Sequence, residues 1–216
     1  MDKKELIVEG IEIAAKSALS AIPVGGTLIT EVWNSIKSNE VKRRLEDWQE
    51  KVEDRLSKLE ISLEDISADP RFTTALVSAT EMAIKVAEDQ KREYLANAVK
   101  NSMSSNMEES IQLMYLDMIS KYTVWHLKIL VFFKNPLAFE NVDAGHYYMG
   151  SPKEPLYMVY PELKKSDEIV NKIVKELYTD GLMSTENLNC TMTGSGMVAS
   201  RTTGLGNGLV DFIMED

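Results

Sequence analysis

The residues whose types could do chemistry are few in this chain, and their spacing assembles no reaction. There are two histidines and one cysteine among 216 residues. His126 stands inside the apolar stretch 122–133, where a hydrogen-bonded core histidine is expected. His146 has no cysteine or second histidine near it in sequence, which is too little for the three or four ligands a zinc site needs. Cys190 falls on the apolar phase of an alternating stretch, where a thiol behaves as a small hydrophobe rather than as a nucleophile. Glu108, Glu109 and Asp89 read as helix-surface acids and form no recognisable acid–base pair. Gly204-Leu-Gly-Asn-Gly208 lacks the preceding strand and the spacing of a dinucleotide fingerprint, so its glycines read as turn or close-packing positions. The expectation is a protein that is not an enzyme, with no catalytic residues, no cofactor and no metal.

Binding chemistry is better represented. Tyr147, Tyr148, Tyr157 and Tyr160 lie in a segment punctuated by proline and glycine, and Lys164, Lys165, Lys172, Lys175 and Arg201 follow it. These nine residues make the candidate partner surface. Net charge is −10, with −4 up to Ser105 and −6 from Asn106 onward. That balance opposes a phosphate backbone, so a protein partner is expected before DNA. The run Lys42-Arg-Arg44 is offset by Glu40, Glu46, Asp47 and Glu50 and reads as a solvated face. The lone cysteine fits a reducing cytoplasm, and Glu9 and Glu12 interrupt any signal-like apolar run at the start.

The elements that must position these residues read as mostly helical. Val124, Trp125, Leu127, Ile129, Leu130, Phe132 and Phe133 surround a helix axis, which predicts a buried helix too short to span a membrane. Before it, residues 3–22 carry a helical apolar stripe, Ile22-Pro-Val-Gly-Gly26 breaks the chain, and Thr27 caps a helix. Residues 10–33 are rich in small and apolar side chains, but Glu12, Lys16 and Glu31 favour packed core over membrane insertion. Ser38-Asn39 offers a fresh cap for a charged helix to about residue 61. On it, Leu45, Trp48, Val52, Leu56, Leu59 and Leu63 form a near-heptad seam. The seam predicts an internal helical hairpin, with a homodimer through residues 41–66 as the alternative. Asp69-Pro70 opens a helix to about Asn101. Asn106-Met-Glu-Glu109 opens another, bearing Ile111, Met114, Tyr115, Met118 and Ile119. After the tyrosine-rich segment, Ser166 caps a helix with Ile169, Val170, Ile173, Val174 and Leu177 on one side and Gly181 at its end. Leu188, Cys190 and Met192 then alternate with polar residues, and Gly194-Ser-Gly196 supplies the turn of a β-hairpin to Met197, Ala199 and Arg201. Thr203 caps a closing helix.

The order helix, helix ending in Gly-Leu, hairpin, helix resembles a winged helix-turn-helix. The words Ile173-Val-Lys-Glu-Leu-Tyr-Thr-Asp-Gly-Leu182, Thr202-Thr-Gly-Leu-Gly206 and Val210-Asp-Phe-Ile213 carry the likeness, with Thr202 where such proteins usually have leucine. Upstream, Asp69-Pro-Arg-Phe72, Lys91-Arg-Glu-Tyr-Leu-Ala-Asn-Ala98 and His126-Leu-Lys-Ile-Leu130 resemble bacterial and phage helical proteins similar to the abortive-infection alpha family. The resemblance spans roughly residues 20 to 213 in short words. It implies a helical N-terminal region, a C-terminal winged helix and a role in bacteria–phage conflict, and it supplies no catalytic residues.

The expected architecture is therefore mainly α, in two parts. A helical bundle covers residues 1–121, and a winged-helix-like module with one small β-hairpin covers residues 122–216. The expected function is a non-enzymatic protein-interaction or regulatory module of a defence or phage-derived system. A winged-helix DNA-binding regulator is the alternative, reading DNA with residues 166–180. A membrane-active effector through residues 10–33 is the weaker one.

Overall fold

The structure, a computed structural model, describes residues 27–58, 69–104 and 107–215. The expected helix over residues 3–22, the break at 22–26, the seam positions Leu59 and Leu63, and Asn106 lie outside the described residues, as does most of the stretch 10–33. The fold is mainly helical with one small two-stranded antiparallel sheet. No helix of the described residues is long and apolar enough to cross a membrane. The chain divides into two units, Met1–Lys121 with Phe212–Asp216, and Tyr122–Asp211. The last five residues thus count with the first unit rather than with the module expected over residues 122–216.

In the first unit, α1 (Thr27–Ser57) runs unbroken through Ser38-Asn39. A capping residue expresses a preference of about 1 kcal/mol, and it does not end a helix whose later turns are packed. Those turns bury Trp48, Val52 and Leu56 completely or nearly so. They pack against α2 (Pro70–Lys85) and α3 (Asp89–Ser104), as an internal hairpin requires. The Trp48 indole donates to Thr80 Oγ1 at 3.0 Å and Thr80 donates on to the Leu76 carbonyl, so the buried N–H is satisfied. Asp69 caps α2 by accepting from the Arg71 N–H, with proline in the first turn. Ala75, Ala79 and Ala83 repeat at every fourth position on its buried face. The run Lys42-Arg-Arg44 is neutralised by its own helix, Lys42 on Glu46 and both arginines on Glu40.

The single helix expected from residue 70 to about 101 is two helices. Val86 adopts an extended backbone at the end of α2, and α3 starts at Asp89. Arg92, which is buried, makes the break tolerable. Its guanidinium donates to the carbonyls of Val86 at 2.9 Å and Ala87 at 3.3 Å, and also binds Asp89 and Asp47. The carbonyls orphaned at a helix end thus find a donor. Further along α3, Asn97 donates to the Ile213 carbonyl and Asn101 to those of Phe212 and Met214. These bonds give the C-terminal residues their place in the first unit. On α4 (Glu109–Lys121) the buried face is Gln112, Tyr115, Leu116 and Ile119, whereas Ile111 is exposed.

The second unit is built on α5 (Val124–Lys134). Leu127, Ile129, Leu130, Phe132 and Phe133 are fully buried, but Trp125 and Lys128 form a half-exposed flank, so the helix is not buried all round. Two short 3-10 turns lead to β1 (Met149–Gly150), then α6 (Lys153–Val159), a 3-10 turn over Pro161–Ser166 and α7 (Asp167–Thr179). Val170, Ile173, Val174 and Leu177 of α7 are buried, while Ile169 faces solvent. Gly181 ends this helix at φ +76°, a left-handed conformation suited to glycine.

The expected hairpin does not form. β2 (Met192–Thr193) pairs with β1, not with residues 197–201, in the register Met149 with Thr193 and Gly150 with Met192. Gly194-Ser-Gly196 opens the short helix α8 (Gly194–Met197), capped by Thr193. Before β2, the polar positions of the alternating stretch make turns instead of facing solvent from a strand. Asn187 accepts from its neighbour Asn189 N–H through its side chain, and Cys190 N–H donates to the Leu188 carbonyl. The loop 184–201 is closed at its base by an antiparallel bridge between Met183 and Thr202. Thr203 then caps α9 (Gly204–Ile213) by accepting from Gly206 N–H.

Candidate functional site

The tyrosine-rich segment contributes β1 to the small sheet, and two large side chains there are exposed. Tyr148 is 90% exposed and Met149 58%, both at the entrance of β1. Tyr147 reaches the other way, its hydroxyl 3.5 Å from the Met158 sulfur on α6. Met192 on β2 is also partly exposed. Close packing fixes the backbone beneath. A Cβ on Gly194 would lie 2.2 Å from the Tyr147 carbonyl and 2.4 Å from that of Ala144, so α8 can sit against this loop only with glycine there. Tyrosine and methionine on a rigid, solvent-facing support are what interface cores are enriched in.

Tyr157 does not join this surface. Its hydroxyl donates to Asp167 at the start of α7, where Lys153 also binds, 2.7 Å from one carboxylate oxygen and 2.9 Å from the other. The Lys153 ammonium, in a side chain only 9% exposed, makes a third bond to Asn189 Oδ1 at 2.7 Å. Asn171 donates to the same carboxylate. This network ties α6, α7 and the 184–201 loop together. The Lys153 ammonium, then the Tyr157 hydroxyl, hold the Asp167 carboxyl below the usual carboxylate range, while burial and Asp167 push the Tyr157 phenol well above its ordinary value. Tyr160 is half-buried, packed on Trp125, Phe132 and Phe139.

The five cations of the candidate surface are not brought together as one patch. Arg201 is buried, donating to the carbonyls of Ala199 and Gly196 and to the Met192 sulfur, with its guanidinium over the Phe133 ring. Burial pushes its pKa down. Lys172 is paired with Glu176 and Lys175 lies 3.5 Å from Glu186. Lys164 and Lys165 remain exposed.

Sequence reasoning missed the polar tie between α5 and α7. Thr123 caps α5, and His126 closes the capping box, its Nδ1 accepting from the Thr123 N–H at 3.3 Å. A backbone N–H can only donate, so Nε2 carries the proton and donates to Glu176 Oε2 at 2.9 Å. The Tyr122 ring stacks on the imidazole and its hydroxyl donates to Asp180. Burial, then the Asp180 carboxylate, push the Tyr122 phenol far above its ordinary value. Tyr122 lies just before α5 and Asp180 just after α7, so no helical spacing in the sequence marked the tie. Both nitrogens of His126 are engaged within the protein, Nδ1 also lying 2.8 Å from the Thr123 hydroxyl. Among the described residues no three His, Cys, Asp or Glu side chains are grouped as a metal site requires. No protein-family model matches the chain, and neither a curated protein nor a solved structure matches it.

Proposed function

We propose that the chain is a non-enzymatic protein-interaction module, and that its second unit docks a partner protein at the exposed residues Tyr148 and Met149 where the chain enters β1. The observation that carries this reading is Tyr148, 90% exposed beside Met149 on a strand whose neighbouring loop is fixed by the Gly194 contact. The element order of a winged helix supports it too, with α7, a loop closed by the Met183–Thr202 bridge, and α9. The loop 184–201, with β2 paired to β1, would then present a protein-binding edge and not a basic one. Of the five cations expected to meet phosphate, one is buried and two are neutralised by glutamates, so the DNA-binding reading is weaker. A homodimer through residues 41–66 would require the packing of Trp48, Val52 and Leu56 to open. The resemblance of short stretches of the sequence to abortive-infection alpha proteins supports a partner drawn from bacteria–phage conflict.

Site-specific photo-crosslinking in the cells that encode the chain tests the reading. A cross-linking residue at position 148 should give one discrete protein adduct, lost when Met149→Asp is added. The same residue at 164 should give none. Adducts to nucleic acid from 164, with nothing from 148, would overturn the reading.

A further inference from the structure

The exposed flank of α5 holds a second feature, independent of the tyrosine–methionine surface. The rings of Trp125 and Tyr160 stand at 82° with centroids 5.6 Å apart, forming a two-walled aromatic corner. The Lys128 ammonium sits in it, 5.0 Å from the Trp125 ring centre and 5.8 Å from that of Tyr160. No carboxylate of the described residues pairs with Lys128, so the rings hold its charge. The corner is built before any ligand arrives. Phe132 and Phe139 pack against Tyr160 at 69° and 72°, which fixes its orientation. Glu162 lies close enough for its charge to push the Tyr160 phenol up, in addition to the larger effect of burial, so the potential at the corner also favours a cation. Lys128, by contrast, is a half-exposed side chain on a flexible stem and can swing out at little cost.

We propose that the Trp125–Tyr160 corner is a binding site for a methylated ammonium group, occupied by Lys128 when that ligand is absent. A trimethylammonium group fits the corner better than lysine does, because it is weakly hydrated and spreads its charge over methyl groups that contact both rings. This is the chemistry by which aromatic cages select quaternary ammonium. Lys128 acts as a tethered competitor. Its removal should tighten binding by the strength of one partly desolvated cation–π contact, roughly fivefold to thirtyfold.

The test is calorimetric titration of the full chain with choline, and with its neutral isostere that carries a tert-butyl group in place of trimethylammonium. Choline should bind Lys128→Met at least about fivefold more tightly than wild type, the isostere should not bind, and Tyr160→Leu should abolish the choline signal. A trimethyl-lysine peptide beside its unmethylated form tells whether the cation comes from a free small molecule or from a protein side chain. No saturable binding of either cation to Lys128→Met would overturn the proposal, and so would equal binding of choline and isostere. The isostere comparison is made within one variant, so it decides the matter even if Tyr160→Leu is misfolded.

Discussion

Arg92→Met should be the most damaging single change to a polar residue of the first unit. The arginine lies at the break between α2 and α3, donating to two carbonyls and two carboxylates while only 4% exposed. Methionine keeps the apolar stem and removes every donor. Hydrogen bonds to charged groups are worth about 1.5–3 kcal/mol each, and breaking a buried ion pair from one side costs about 3–5 kcal/mol. Two features lower the total. Asp47 keeps Lys51 at 3.3 Å, and residues 86 and 87 retain access to water that can solvate their carbonyls. The expected loss is therefore about 2–4 kcal/mol. Urea unfolding followed by circular dichroism measures it, and hydrogen exchange should place the loss in the amides of residues 82–95. Arg92→Lys should recover only part, because a single ammonium cannot fan out to carbonyls and carboxylates in four directions. A loss below about 0.5 kcal/mol, the range of an ordinary surface substitution, would refute the reasoning. So would full recovery in Arg92→Lys, which would reduce the role of the residue to charge alone.

Phe132→Ala, at a fully buried position, should cost about 3–5 kcal/mol, and Trp125→Ala on the half-exposed flank clearly less. Thermal melts of the two variants compare them, and equal losses would mean that the flank of α5 is misplaced. Lys153→Met should destabilise in a pH-dependent way. The Asp167 carboxyl is held below its ordinary range, so the stability it contributes is present above the unfolded-state value of about 4 and is lost as pH falls through its folded-state value. The gap between wild type and Lys153→Met, followed by melts at descending pH, should narrow below that value, and a constant gap would count against the network. DNA should bind no more tightly than about 10 μM at physiological salt, outside the specific range. With only Lys164 and Lys165 of the original set exposed and unpaired among the described residues, the slope of log affinity against log salt should be roughly −1.8, and not the roughly −4.5 of five phosphate contacts. Anisotropy titration with the upstream region of the gene checks both values, and nanomolar binding lost in Lys172→Ala with Lys175→Ala would promote the regulator reading.

Local chemistry was legible where neighbours in sequence are neighbours in space. Asp69-Pro70, Thr203 and Gly181 mark helix ends because a cap acts within three residues, and the apolar spacing of Val170, Ile173, Val174 and Leu177 marks a buried face because helical geometry repeats it. Trp48, Val52 and Leu56 could be read as a seam, but their spacing does not say whether the facing helix belongs to the same chain. The break at residues 86–88 was invisible for a different reason. No proline or glycine marks it, and it is held by Arg92 and, through Arg92, by Asp47 on another helix. The hairpin was misread because alternation over 188–193 specifies a short extended segment but not its partner. Met149 and Gly150, more than forty residues upstream, take the hydrogen bonds of Met192 and Thr193 in place of residues beyond the nearby turn, and the close approach of Gly194 to the Tyr147 and Ala144 carbonyls accompanies that pairing. The same holds for function. Residue types alone grouped Tyr157, Tyr160, Lys172 and Arg201 on one surface, whereas tertiary contacts drew Tyr157, Tyr160 and Arg201 to different partners and Lys172 paired with Glu176 on its own helix. Tyr148, Met149 and, in part, the corner around Lys128 were left to solvent, because exposure is a property of the packed chain and not of the residue.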